Sequence, residues 1–120
     1  MMAILSFVWI DADWLNSYVS SGKGKAIIID VRTPEEHEMG FIPGTHYLIP
    51  HTIIGEKIKE LKINPEKDTI IVYCRSGNRS TVAAKVLESK GYKNVLNLKG
   101  GIRGWQEKGY KVVQGQKAGK

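Results

Sequence analysis

One cysteine in 120 residues leaves nothing inside the chain for it to pair with. An intramolecular disulfide and a cysteine-rich metal cage are therefore excluded. A resolving cysteine is excluded too, so any sulfur or oxidised state carried on Cys74 must be discharged by an outside partner. Acidic residues are also scarce: twelve stand against eighteen Lys and Arg, for a net charge of +6. Such an excess suggests nucleic acid. The lysines are scattered among glutamates, however, as in Glu56-Lys57-Ile58-Lys59-Glu60. They read as solvated surface whose field gathers small anions, and no nucleic-acid partner is expected. The apolar start, Met1 to Ile10, falls far short of the ~20 residues that span a bilayer. It also lacks a positive n-region and a small-residue cleavage site. No membrane partner and a reducing, cytoplasmic setting are the expectation. The three histidines show no metal spacing: His46 and His51 merely flank Pro50, and His37 lies on a predicted helix, exposed. No metal and no cofactor are expected. Repeats and linkers are missing as well, which leaves one domain over residues 1–113 and a polar, Gly/Lys-rich flexible tail over 114–120.

What the chain does have is concentrated around Tyr73-Cys74-Arg75-Ser76-Gly77-Asn78-Arg79-Ser80. The apolar run Thr69-Ile70-Ile71-Val72-Tyr73 leads in, and a helical pattern from Ser80 to Leu87 leads out. The lone cysteine thus sits where a buried strand ends and a helix begins. A short loop there can turn its backbone N–H groups inward, alongside the free amides of the first helical turn. Anything negative at the centre is stabilised: a thiolate, a persulfide or a bound oxyanion. A free thiol with a pKa of about 8.5 is only a few per cent ionised at pH 7. Each tenfold gain in thiolate needs about 1.4 kcal/mol, and a helix N-terminus supplies only about 0.3–1 kcal/mol. Loop amides and the cations of Arg75 and Arg79 are expected to add the rest.

The segment Cys74-Arg75-Ser76-Gly77-Asn78-Arg79-Ser80 closely resembles the active-site loop of the rhodanese (thiosulfate sulfurtransferase) family. Three further stretches resemble that family in the same order: Ile29 to Glu36, its D-V-R-x-x-x-E segment; Gly40 to Thr45, its G-H-I-P-G-A segment, with Phe41 and Thr45 as departures; and Leu98 to Trp105, its closing G-G-x-x-x-W segment. The resemblance implies an α/β, rhodanese-like three-layer sandwich with a five-stranded sheet and Cys74 at its carboxyl edge. Alternation along the chain points the same way, to a mainly parallel sheet with helices on both faces.

In order, strands are expected over 6–10, 26–31, 45–49, 69–73 and 94–98. Asp11 caps a helix that ends over Ser20 to Gly24. Thr33, Pro34 and Glu36 form a capping-box start for a short helix closed by Gly40. Ile54, Ile58 and Leu61 mark a helix over 52–61, weakened by Gly55. Gly91 closes the helix after the cysteine loop, and a brief helix covers 102–108, with Trp105 in the core. Asp30 and Arg32 fall at the carboxyl end of their strand, the ligand-facing side of an open α/β sheet. They are expected to pair as a brace supporting the loop.

The mechanism implied by the resemblance is double displacement. Cys74 is the nucleophile that takes a sulfane sulfur from thiosulfate or a similar small anionic donor. The persulfide then passes its sulfur to cyanide or a thiol. Arg75, Ser76, Gly77, Asn78 and Arg79 are the substrate- and persulfide-binding residues, with one arginine facing solvent and the other bracing the loop. Ser80 steadies the start of the helix. Delivery to a protein acceptor is an alternative partner choice. A cysteine phosphatase or arsenate reductase is the competing chemistry, but those loops are one residue longer between Cys and Arg, and here that position is Ser80.

Overall fold

The computed structural model describes residues 7–114. Five strands and five helices alternate: β1 Val8–Ile10, α1 Ala12–Ser21, β2 Ile27–Asp30, α2 Pro34–Glu38, β3 Tyr47–Leu48, α3 Ile54–Lys57, β4 Thr69–Tyr73, α4 Asn78–Ser89, β5 Asn94–Leu98 and α5 Gly101–Glu107. The strands lie in the order β1-β5-β4-β2-β3. Every strand pair is parallel. Cys74 follows directly on the central strand β4.

The pleat divides the core in two, because successive side chains of a strand point to opposite faces. From β4, Ile70, Val72 and then Cys74 join Ile54 and Ile58 of the α3 segment and Ala83, Ala84 and Leu87 of α4. Ile71 and Tyr73 face the other way, onto Leu15 of α1 and Ile102 and Trp105 of α5. The result is the expected α/β three-layer sandwich. Burial on both faces explains why β2 and β4 read as unbroken apolar runs. No helix among the described residues is long and apolar enough to cross a membrane.

Local signals were realised closely. Asp11 accepts the Trp14 N–H as the α1 cap, and Gly22 ends the helix in the left-handed region. Thr33 and Glu36 form the full capping box of α2. Three elements differ from expectation by more than one residue at an end. The first strand starts at Val8, and Ser6 lies outside the described residues, as does the tail beyond Gln114. The strand over 45–49 shrinks to Tyr47–Leu48, because Thr45 instead turns its hydroxyl onto the Ile42 carbonyl and the Tyr73 hydroxyl. The helix over 52–61 is α-helical only at Ile54–Lys57 and tightens to a 3₁₀ turn over Ile58–Glu60. Gly55 has a packing reason: a side chain there would press within 3.1 Å of Val86 on α4.

Candidate active site

Strand β4 delivers Cys74 to the sheet edge, and α4 opens four residues later, with Gly77 at its cap in the left-handed region at φ +115. That conformation, costly for any residue with a Cβ, turns the loop amides inward. The Gly77 N–H points at Sγ from 3.1 Å and the Ser80 N–H from 3.3 Å. The Ser80 hydroxyl lies 3.4 Å from the sulfur and 3.3 Å from the Gly77 carbonyl. When Cys74 is a thiol, its S–H donates to that hydroxyl, which donates onward to Gly77. When Cys74 is a thiolate, the hydroxyl rotates and donates to the sulfur. Cys74 is only 1% exposed. Burial is the largest single influence and pushes the thiol up. The Ser80 hydroxyl and the Ser80, Gly77 and Ser76 amides together outweigh it, so the pKa ends below that of an ordinary cysteine.

The Gly77 and Ser80 amides meet the sulfur, with Ser76 contributing, so Gly77 and Ser76 of the expected Arg75–Arg79 stretch surround Sγ and Ser80 joins them. Ser80 is therefore a direct partner of Sγ as well as a prop for the helix. These hydrogen bonds lower the thiol pKa, and Arg79 also feels the charge on Cys74. The two arginines part company. Arg75 is exposed and lines a cleft of ≈ 280 Å³ with Arg103 and Gln106. Arg79 turns back onto Glu36 in a two-pronged ion pair of 2.7 and 2.9 Å. That contact holds the Glu36 carboxyl down at about 2. Ser76 and Asn78 line a second cleft on the other flank of the loop.

Asp30 and Arg32 pair as expected, with Arg32 Nε and Nη2 donating to the carboxylate at 2.9 and 2.7 Å. Their further partners are the Gly40 carbonyl, 2.7 Å from Arg32, and His37, 2.9 Å from Asp30. The brace therefore ties β2 to α2 and to the turn at Gly40, and Arg32 also lies over the Tyr73 ring at 5.8 Å and lines the same cleft as Arg75. Glu36 adds a direct ion pair to Arg79 of the loop. His37 is not an exposed surface residue: it is bonded to Asp30 and stacked on Phe41 at 4.2 Å.

Residues outside the expected set complete the frame. Ile102 and Arg103, in the first turn of α5, donate their N–H groups to the Cys74 and Arg75 carbonyls at 2.9 and 3.0 Å. Gly101 permits this approach, since a Cβ there would overlap the Arg75 carbonyl. Thr81 donates its hydroxyl to the Gly77 carbonyl at 2.7 Å and in turn accepts from the buried Asn97 amide. The Gly100-Gly101 pair stood out only as part of the closing segment, with no sign of its contact with the loop; Thr81 and Asn97 carried no signal in the chain. Trp105 is buried, and its indole N–H donates to the Lys111 carbonyl. His46 accepts the Ile28 N–H away from the site. Among the described residues, no cluster of three or more His, Cys, Asp or Glu could hold a metal ion.

Most of the chain is similar to known proteins. The family model described as the rhodanese-like domain matches residues 11–108. A sulfurtransferase of Allochromatium vinosum is 36% identical over 104 residues, covering 87% of this chain and 92% of its own. A putative mitochondrial thiosulfate sulfurtransferase of Schizosaccharomyces pombe is 35% identical over 101 residues, covering 73% of this chain and 68% of its own. The crystal structure of a rhodanese-related protein from Thermoplasma volcanium superposes with a TM-score of 0.74 at 32% identity, covering 89% of this chain and 98% of that one.

Proposed function

The chain belongs to the rhodanese-like domain family, and from that premise we propose that it is a sulfurtransferase that carries a sulfane sulfur on Cys74. The observation behind this reading is the ring of hydrogen-bond partners around Sγ, the Gly77 and Ser80 N–H groups at 3.1 and 3.3 Å and the Ser80 hydroxyl at 3.4 Å. Such a ring favours an anionic sulfur without an ion-pair partner, so no general base is needed beside the nucleophile.

The donor is thiosulfate or a comparable small dianion, drawn to Arg75 and Arg103. The Cys74 thiolate attacks its outer sulfur; the sulfur–sulfur bond of the donor breaks, and sulfite leaves with the electron pair. The product is a Cys74 persulfide, whose negative charge the Gly77 and Ser80 donors accept in the manner of an oxyanion hole. Cyanide or a thiol then attacks the outer sulfur and restores the thiolate. Arg79, neutralised by Glu36, serves as a strut for the loop and not as an anion receptor. Ser76 and Asn78 contribute polar walls. Turnover through outside thiols suits a reducing compartment such as the cytoplasm.

Intact mass after incubation with thiosulfate tests the proposal. Wild type should gain one sulfur atom that cyanide removes, and Cys74→Ser should gain none. Hydrolysis of p-nitrophenyl phosphate by wild type, lost in Cys74→Ser, would favour the phosphatase chemistry instead.

A further inference from the structure

The two clefts beside the Cys74 loop share no residue. The smaller, ≈ 280 Å³, is lined by Arg32, Glu36, Arg75, Arg103 and Gln106 among others. The larger, ≈ 440 Å³, is lined by Trp9, Ser76, Gly77, Asn78, Thr81 and Lys99. Their chemistry differs as much as their size. The smaller cleft concentrates guanidinium groups and has no aromatic wall. The larger has one cation, Lys99, and the indole of Trp9, which is 48% exposed on the edge strand β1. Gly77, whose amide holds Sγ at 3.1 Å, lines this larger cleft.

We propose that the Trp9–Lys99 cleft is the acceptor subsite, built for a small organic thiol that bears a carboxylate, and that donor and acceptor approach Cys74 from different flanks of the loop. This rests on the sulfur-transfer reading given above. An inorganic dianion gains nothing from an indole face, whereas an organic thiol buries its carbon skeleton against it. A single ammonium matches a single carboxylate. The volume falls within the ~300–1,000 Å³ typical of small-molecule sites. Asn97, fully buried and in register with Trp9, donates its amide to Thr81 and so fixes that wall of the cleft.

The chemistry balances without a further reactant. A persulfide sulfur lies about 2 Å beyond Sγ. The acceptor thiolate attacks that sulfur, a new sulfur–sulfur bond forms to the acceptor, and the bond to Sγ breaks. The electron pair returns to Sγ as thiolate, and the acceptor leaves as its own persulfide.

In a double displacement, kcat/KM for each substrate reports its own half-reaction, so the two flanks can be tested separately. The probes are thiosulfate as donor and glutathione, 2-mercaptoethanol or cyanide as acceptor. Trp9→Ala and Lys99→Glu should each lower kcat/KM for glutathione by roughly tenfold. Neither should move kcat/KM for thiosulfate or cyanide by more than about twofold. Lys99→Glu should also spare 2-mercaptoethanol, which has no carboxylate. Arg103→Ala should do the reverse, weakening thiosulfate use and sparing glutathione. The proposal is overturned if glutathione use is unchanged in both variants, if cyanide and glutathione fall together, or if wild type uses glutathione no better than 2-mercaptoethanol. Should Trp9→Ala misfold, the surface variant Lys99→Glu decides alone. A wild-type protein that gains no sulfur from thiosulfate, seen by mass before any acceptor is added, sinks the sulfur-transfer reading itself and not merely the choice of cleft.

Discussion

Asp30 and Cys74 are two acids buried at the same edge of the sheet but on opposite faces, since Asp30 is in register with Tyr73, whose side chain points away from that of Cys74. Asp30 is 0% exposed and Cys74 1%. Their surroundings could hardly differ more. Asp30 is met by full charge, with Arg32 doubly bonded to it and His37 on the same oxygen. Cys74 is met by peptide amides and a hydroxyl. A buried carboxylate paired with a guanidinium is locked, because removing either partner strands a charge in the interior. A thiolate held by neutral dipoles is favoured yet unspent: its charge is stabilised without being cancelled, and its lone pairs stay available for attack. Arg79, in the same loop, is itself paired with Glu36. Structural anion and reactive anion are thus separated by the type of partner and not by depth of burial.

The contrast can be broken most severely at Asp30. Asp30→Ala leaves Arg32 buried without its partner and should cost about 3–5 kcal/mol, read as a lower urea midpoint. A loss under about 1 kcal/mol would mean that Arg32 finds water or another acceptor. Next comes Gly101→Ala. It places a side chain against the Arg75 carbonyl at φ +61 and should cost at least about 2 kcal/mol, along with most of the sulfur-transfer rate. Retention of wild-type activity would show that the loop does not depend on its docking to α5.

Smaller effects sharpen the account of the collar. Ser80→Ala removes the one donor that can rotate to the sulfur, so the thiol pKa should rise. The reactive species is the thiolate, so the rate at neutral pH should fall about tenfold and recover as the pH is raised. A loss that no alkaline pH repairs would assign Ser80 a purely structural part. The gentlest test is Glu36→Gln. The Glu36 pKa is held at about 2 against an ordinary 4.5. Its contribution is therefore complete above the ordinary value and lost as the pH falls toward 2. The variant should lose about 0.5–1 kcal/mol at neutral pH, given partial exposure of the pair, and should show a flatter loss of stability between those two pH values. An acid transition identical to that of wild type would show that Arg79 and Glu36 contribute nothing to the fold.

Much of this molecule was legible in the order of its residues. β4 and β5 fall at Thr69–Tyr73 and Asn94–Leu98, as expected from apolar runs between breakers. The caps at Asp11 and Thr33 were local signals and were realised locally. The same holds for the strand–cysteine–helix junction. Two elements are shorter than expected: over 45–49, Thr45 bonds to Ile42 and Tyr73, and over 52–61 the helix tightens to a 3₁₀ turn at Ile58–Glu60.

Composition and periodicity alone determined that this is an alternating α/β domain with its single thiol at the carboxyl edge of a buried strand, because those features follow from burial and from contacts a few residues apart. Only the tertiary structure decided which donors reach the sulfur, which arginine pairs with Glu36, and which elements the Asp30–Arg32 brace ties together. The ion pair of Glu36 and Arg79 joins residues 43 positions apart. The docking of Ile102 and Arg103 joins separate elements. Partners so distant are chosen by how the layers pack, and no local pattern in the chain encodes that choice.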